Sequence, residues 1–376
     1  MAPATIRSLL HILNSANCAE DVFGPLSGSP DEQLQGARRI YRQMALVAHP
    51  DRYHQAKERA RATDAFQLLG RWWELAEQSI TAGLYGLRSA APNRPLRSPI
   101  TIRSPKHTYT MHTAMAVGDV CDVFVARRHK DDLPVVLKIA RDPANNDLVH
   151  NEFKALSRLW SAPKDDLKIF GPYLPKIFET FKLQDNRQIN VLDLKEGFYT
   201  LDEVCQAYPH GVEAETMSWI FNRTLEILAW AHQRGVIHGA VLPPHVMIHP
   251  VTHGAVLLDW SYAVIDSGPI RAISPDHRAH YPPEVFSKTP ATAAADIFMV
   301  AGCMARLMGA DPGQPIPDTV PRRMAGVLRA CQIPNPQSRH NDALELYESL
   351  QEAQRIAFGP PRYHPFKMPP RSHAAR

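Results

Sequence analysis

Closely spaced cysteines are missing. The five in the chain (Cys18, Cys121, Cys205, Cys303 and Cys331) are scattered through 376 residues. No C-x-x-C pair occurs, so neither a disulfide framework nor a cysteine zinc site is expected. A reducing, cytoplasmic setting is the default expectation. Long apolar runs are missing too: nothing approaches the roughly 18 to 20 apolar residues of a membrane span. The run Arg7 to Leu13 is too short and too polar for a secretory signal. Neither sign of charge is in large excess. A net charge of +4 over this length does not by itself argue for nucleic acid. What the chain does have is core material. Apolar residues make up 44%, and the length leaves room for two or three domains.

The first eighty residues carry two helical patterns. Asp31 to Ala48 reads as a helix capped by Ser29 or Asp31, with Pro30 tolerated at its start. Ala37, Ile40, Tyr41, Met44 and Val47 recur on one face, while Arg38, Arg39 and Arg42 share another. Pro50 pushes His49 out of the helical region and ends the helix. A second helix, about Lys57 to Ile80, places Ala62, Ala65, Phe66, Leu69, Trp72 or Trp73, and Ala76 inward. Two such helices bury their stripes against each other. The loop between them is His49-Pro50-Asp51. A plain hairpin with a solvated arginine face is the bland reading. The whole arrangement, from Cys18 to Ile80 with Asp21 to Gly24 in a short first helix, resembles the J domain of DnaJ-type co-chaperones. That resemblance implies a partner, the ATPase of a DnaK-type chaperone. His49, Pro50 and Asp51 would make the contact, with Arg38, Arg39, Arg42 and Arg52 in electrostatic support. The Gly/Phe-rich and Cys-rich parts of full-length DnaJ are not in the sequence.

Gly83 to Lys106 changes composition. Four prolines and five basic residues interrupt it, and the expectation is a semi-extended linker. A basic strip for an acidic partner or nucleic acid is the less favoured reading, because the stretch holds a single aromatic, Tyr85, and lacks the run of stacking aromatics such binding wants.

Strands come next, then mostly helices. Thr108 to Ala116, Cys121 to Arg128 and Pro134 to Ile139 read as short strands. Lys138, in the apolar run Val135 to Ile139, needs a partner or an anion. Glu152 is the candidate. Ile189 to Leu194 reads as a further strand. Ala214 to Arg234 reads as a long helix with Met217, Ile220, Phe221, Leu225, Leu228 and Ala231 on one face, ended by Gly235. Then comes Val236 to Val264, two short apolar runs around a compact loop containing His238-Gly239-Ala240 and His245 and ending on Asp259-Trp260-Ser261. In this order the segments resemble the protein-kinase fold. Tyr281 to Glu284, Asp296 and Arg339 match its architectural residues. The resemblance implies that Glu284 pairs with Arg339, and that Asp296 steadies the backbone near His238.

Read residue by residue, the resemblance implies a degraded kinase. Ala240 stands where the catalytic Asp belongs and His245 where the Asn belongs. Of three expected glycines in the phosphate-covering loop only Gly118 is present, and Asp119 and Asp122 add negative charge. Gly118, Lys138, Glu152 and Asp259 would face a nucleotide, with Asp259 on magnesium, so ATP and magnesium are the cofactors to expect. A metal held by His238, His245 and His253 is a minor reading, for want of a coordinating spacing. Trp260 and Ser261 in place of Phe and Gly, with the stiff Leu242-Pro243-Pro244, suggest a fixed activation segment.

The expected fold class is α+β. An all-α J-domain-like helical hairpin (1–82) leads through the linker (83–106) to a two-lobed kinase-like domain (107–358, small lobe about 107–194, large lobe about 195–358). A disordered tail follows (359–376), rich in proline and without an acidic residue. The expected function is a co-chaperone whose second domain is a pseudokinase that binds ATP and docks an unidentified protein. Efficient phosphotransfer, membrane association and nucleic-acid binding are not expected. The alternatives are an active or unconventional ATP-dependent Ser/Thr kinase or transferase, and a purely structural scaffold.

Overall fold

The computed structural model describes residues 5–16, 19–53, 55–81, 85 and 94–369. The chain mixes helix and strand and divides into two compact units. One takes residues 1–118, 122–134 and 182–187, and the other takes 119–121, 135–181 and 188–376.

The first unit begins with helices α1 (Ile6–Ser15), α2 (Ala19–Phe23), α3 (Pro30–Ala48) and α4 (Ala56–Thr81). The start of α3 is fixed by a reciprocal cap. The Ser29 amide donates to the Glu32 carboxylate at 2.7 Å, and the Ser29 hydroxyl accepts from the Glu32 amide at 3.4 Å. Ala37, Met44 and Ala48 of α3 pack with Ala62, Ala65, Leu69, Ala76 and Ile80 of α4 in one core. Phe66 departs from its expected inward place: it is 37% exposed and lies beside the His49 ring at 6.0 Å. It follows Ala65 directly on the helix, and only one of two adjacent positions can face the stripe. Helix α1 was not foreseen. Its Leu9 and Leu13 are buried in the same core, and the Trp72 indole donates to the Leu13 carbonyl at 3.0 Å.

Strands β1 (Arg94–Arg103), β2 (Thr108–Val117) and β3 (Cys121–Arg128) lie antiparallel in that order. This corrects the linker expectation over 94–103; the rest of the Gly83 to Lys106 stretch, up to residue 93, lies outside the described residues except Tyr85. Prolines led that expectation astray. They are tolerated here because β1 is an edge strand whose register shifts between Pro95 and Ile100. Beyond the shift the period is two: Ile102 is buried, while Thr101 and Arg103 are exposed.

The second unit contains β4 (Leu133–Ala140), α5 (Asn146–Trp160), α6 (Lys164–Phe170), β5 (Ile177–Lys182) and β6 (Gln188–Asp193). β6 lies between β4 and β5. After β7 (Tyr199–Thr200) and α7 (Leu201–Ala207) comes α8 (Ala214–Gln233). All six apolar residues expected on the inner face of α8 are buried, and Gly235 ends it at φ +71°. Short strands follow: β8 (Val236–Ile237), β9 (Val246–Ile248), β10 (Ala255–Leu257) and β11 (Val264–Ile265). β9 sits between β7 and β10, and β8 pairs with β11. Helices α9 (Pro283–Phe286), α10 (Ala293–Leu307), α11 (Arg322–Cys331) and α12 (Ala343–Phe358) complete the unit.

Past α12 the described residues 359–369 do not behave as the disordered tail expected for 359–376. Phe366 is buried with its ring 5.4 Å from Tyr208, whose hydroxyl donates to the Lys367 carbonyl. The Tyr363 ring stacks on His253 at 4.6 Å, and His253 stacks on Trp219 at 4.1 Å. Proline content and the absence of acid suggested disorder, but two aromatics supply enough apolar surface to hold the segment down. Residues 370–376 lie outside the described residues. No helix among the described residues is long and apolar enough to cross a membrane.

Candidate functional site

Lys138 is in register with Asn190 on the neighbouring strand β6, and only 7% of it is exposed. Its ammonium has three acceptors: Glu152 Oε1 at 3.0 Å, Asp259 Oδ1 at 2.6 Å and Ser261 Oγ at 3.0 Å. An ammonium carries three protons, so every one is engaged. The expected trio of Lys138, Glu152 and Asp259 therefore meets around one nitrogen. Burial works against the Lys138 charge, but Asp259 and Glu152 overcome it and hold the ammonium well above its ordinary range. Burial likewise raises Asp259, and Lys138 with His245 pulls it far below the ordinary carboxylate range.

Three further polar residues complete this network, and two of them, Asn190 and Asn151, carry no signal in the sequence. Asn190 Nδ2 donates to Glu152 Oε2 at 2.9 Å and to the Val149 carbonyl at 2.8 Å, fixing the carboxylate from behind. Asn151, one residue before Glu152 on α5, donates to the carbonyls of Ser261 and Ala263 at 3.0 and 2.8 Å. That bond pins the turn Trp260–Tyr262 to α5. Ser261 itself was read as a loss of backbone freedom. The left-handed backbone falls instead on Asp259, at φ +59°, and Ser261 contributes its hydroxyl.

The loop after β8 hangs on Asp296 of α10. Its two carboxylate oxygens accept from the amides of His238 and Gly239, each at 2.8 Å. His232 Nε2 lies 2.8 Å from the same carboxylate. Gly239 has φ +77°, and a Cβ there would fall 2.5 Å from the Tyr262 carbonyl oxygen, so no other residue fits without displacement. The His238 ring donates from Nε2 to the Leu258 carbonyl at 2.9 Å and lies 4.5 Å from the fully buried Trp260. Ala240 is fully buried and offers only a methyl group. His245 donates from Nδ1 to the Ala240 carbonyl at 2.8 Å, which leaves Nε2 3.4 Å from Asp259 Oδ2. His253 sits apart in its aromatic stack. Among the described residues no three His, Cys, Asp or Glu side chains are gathered to hold a metal.

Burial pushes the His238 imidazole down to about 4. In the unfolded chain it takes a proton near pH 6.5, whereas in the folded chain it resists until much lower pH. The resulting stability is present above pH 6.5 and is lost as pH falls toward 4, on the order of 3 kcal/mol in all. Urea titrations between these limits should show that loss, with a shallower slope in His238→Gln.

Glu284 and Arg339 form the ion pair expected of them, at 2.6 Å. Arg339 also donates to the carbonyls of Ala294 and Ile333, each at 2.8 Å, so the guanidinium ties three segments together. Asp119, one of the two carboxylates read as adverse in the glycine-poor loop, accepts a hydrogen bond from the Ser274 hydroxyl. Gly118 lies in the first unit, exposed in the turn after β2.

The loop His49 to Arg52 in the first unit is exposed and locally braced. Pro50–Arg52 is one tight turn. The His49 ring accepts from the Asp51 amide at 3.4 Å, Arg52 donates to the Leu46 carbonyl at 2.8 Å, and the Tyr53 hydroxyl donates to the Val47 carbonyl at 2.9 Å. Arg39 and Arg42 are exposed, as is Arg38, which lies 3.6 Å from Glu77. Leu46 is 65% exposed next to this turn.

No protein-family model matches the chain, and no curated protein matches it.

Proposed function

We propose that this protein is a J-domain co-chaperone that stimulates a DnaK-type ATPase and carries a kinase-like second domain without phosphotransfer activity. The observation that carries the reading is the braced, exposed turn His49-Pro50-Asp51 at the junction of two packed helices, next to the arginines of α3. An exposed polar tripeptide has no packing task in the hairpin. Its rigidity, and the apolar Leu46 and Phe66 beside it, suit docking to another protein. The deciding experiment adds the full chain to a DnaK-type chaperone preloaded with ATP and follows a single turnover. Acceleration supports the proposal, and an unchanged rate ends it.

For the second domain, the kinase-like reading rests on residues distant in sequence that meet as that architecture requires: Lys138 with Glu152 and Asp259, Asp296 with the His238 loop, and Glu284 with Arg339. Ala240 cannot accept a substrate proton, and such a base is worth about 10² to 10⁴ in rate. An active Ser/Thr kinase is therefore the weaker reading. The donor set does suit a magnesium nucleotide, with the Lys138 ammonium for phosphate and the Asp259 carboxylate for the metal. Because all three Lys138 protons are engaged, a phosphate has to displace Asp259 or Ser261. Weak binding is the expected outcome. Thermal denaturation with magnesium and ATP measures it: at roughly 100 times the dissociation constant the gain is about 2.7 kcal/mol. Ser261→Gly removes one competing acceptor and should enlarge the shift at a given concentration. No shift in either protein would favour the scaffold reading for this domain.

A further inference from the structure

The end of the sheet formed by β1, β2 and β3 carries an open concavity of about 430 Å³, lined among others by Arg103, Ser104, Lys106, His107, His129 and Lys130. None of these is acidic. The nearest carboxylates belong to the turn after β3 and are already taken: Asp131 by Arg128 at 2.6 Å, and Asp132 by Arg127 at 2.7 Å. Arg103, Lys106 and Lys130 are exposed and have no ion-pair partner among the described residues. Three fixed positive charges thus share one concavity without a counter-charge, an arrangement that repels itself until an anion enters.

The scaffold beneath them is ordered. The Ser104 hydroxyl oxygen accepts from the amides of Lys106 and His107 at 3.1 and 2.8 Å, closing the turn between β1 and β2. Arg103 is in register with Thr108, whose carbonyl accepts the His129 amide at 2.9 Å. The cations are therefore delivered from two adjacent turns at one end of the sheet.

We propose that this cavity binds a small anion bearing two or three linked phosphate groups, held by Arg103, Lys106 and Lys130. Charge number favours linked phosphates over a single carboxylate, and the guanidinium fork and the ammonium groups are the donors such oxygens take best. Single-stranded nucleic acid fits less well. It wants exposed aromatic faces, but no Phe, Tyr or Trp lines the concavity, and Tyr109, which follows Thr108 on β2, is fully buried. The proposal stands apart from the function proposed above, since it uses neither Lys138 nor the His49 turn.

Titration calorimetry of the full chain with inorganic tripolyphosphate tests it. The expected result is one saturable site that weakens as salt rises. The surface triple variant Arg103→Gln, Lys106→Gln, Lys130→Gln should bind about tenfold or more weakly, having lost its charge-assisted hydrogen bonds. A control triple variant, Arg322→Gln, Arg323→Gln, Arg329→Gln, loses the same charge from the exposed face of α11 and should bind as the parent does. Three outcomes would overturn the proposal: no saturable heat, equal weakening in both triples, or full binding by the first triple. Two further arms check the ligand class. Tighter binding of a single-stranded oligonucleotide than of tripolyphosphate, or sedimentation with vesicles carrying a bisphosphorylated inositol lipid without any tripolyphosphate heat, would each rule out a small soluble polyphosphate.

Discussion

Full-length protein carrying His49→Gln is expected to lose nearly all stimulation of a DnaK-type ATPase while keeping its fold. The two halves of that statement have separate grounds. His49 is exposed, its ring accepting from the Asp51 amide, lying 3.7 Å from the Asp51 carboxylate and resting near Phe66. A change there falls in the class of surface substitutions that move stability by about 0.5 kcal/mol or less. The functional half follows from geometry. His49, Asp51 and Arg52 sit on one short turn held by the Asp51, Arg52 and Tyr53 amides, which donate to the His49 ring and to the His49 and Pro50 carbonyls, so the partner meets a preformed surface with little ordering cost. Replacing the imidazole removes a group at the centre of that surface. Arg39→Gln with Arg42→Gln acts differently. These lie on the rim of the basic face, so their loss should slow association and flatten its salt dependence, leaving the maximal stimulated rate nearly intact. Single-turnover hydrolysis at several chaperone and salt concentrations separates the two effects. Undiminished stimulation by His49→Gln would remove the co-chaperone reading even if the wild-type chain accelerates hydrolysis.

Much of this arrangement was legible in the chain, and the reason differs from place to place. Helix α3 announced itself by Ser29-Pro30 at one end, Pro50 at the other and a 3.6-residue apolar stripe between, all local signals. The pairing of Lys138 with Glu152 was legible for another reason. A lysine within an apolar strand has few tolerable fates, and a carboxylate on the following helix answers the need. Asn190 and Asn151 gave no such warning. An asparagine in an apolar strand or on a helix is ordinary until its partners are known, and both partners here are distant in sequence. Ser261 in place of Gly reads first as lost backbone freedom; its role as an acceptor emerges only once Lys138, distant in sequence, is beside it. The prolines of β1 and of the tail misled in the same direction. Proline argues against a central strand or a helix, yet an edge strand with a register shift and an aromatic-anchored segment both accommodate it.

Lys138→Met should destabilise the second unit by about 3–5 kcal/mol, the usual consequence of stranding the partners of a buried ion pair. Two carboxylates are left here, and Glu152 is almost wholly buried. The Met thioether fills much of the volume of the lysine stem but satisfies neither acid. The pH dependence distinguishes this cause from simple loss of packing. In the parent, Asp259 is held low, so its contribution is present above the ordinary carboxylate range and is lost only under strong acid. Lys138 is held high, so its contribution is present below the ordinary lysine range and is lost only as pH rises through the raised folded value. Between roughly pH 5 and pH 10 the network therefore contributes a constant amount. Without the ammonium, burial is left to act on the Asp259 carboxylate, which then prefers to be protonated in the folded state more than in the unfolded one. The variant should then recover stability relative to the parent as pH falls from about 7 to about 5. His238 titrates in both proteins, so its effect cancels in the difference. Adding Glu152→Gln to Lys138→Met removes one stranded charge and should restore part of the loss at pH 7. A destabilisation independent of pH would mean that Lys138 matters for its methylene stem alone, and that the three acceptors around its nitrogen hold little of the structure together.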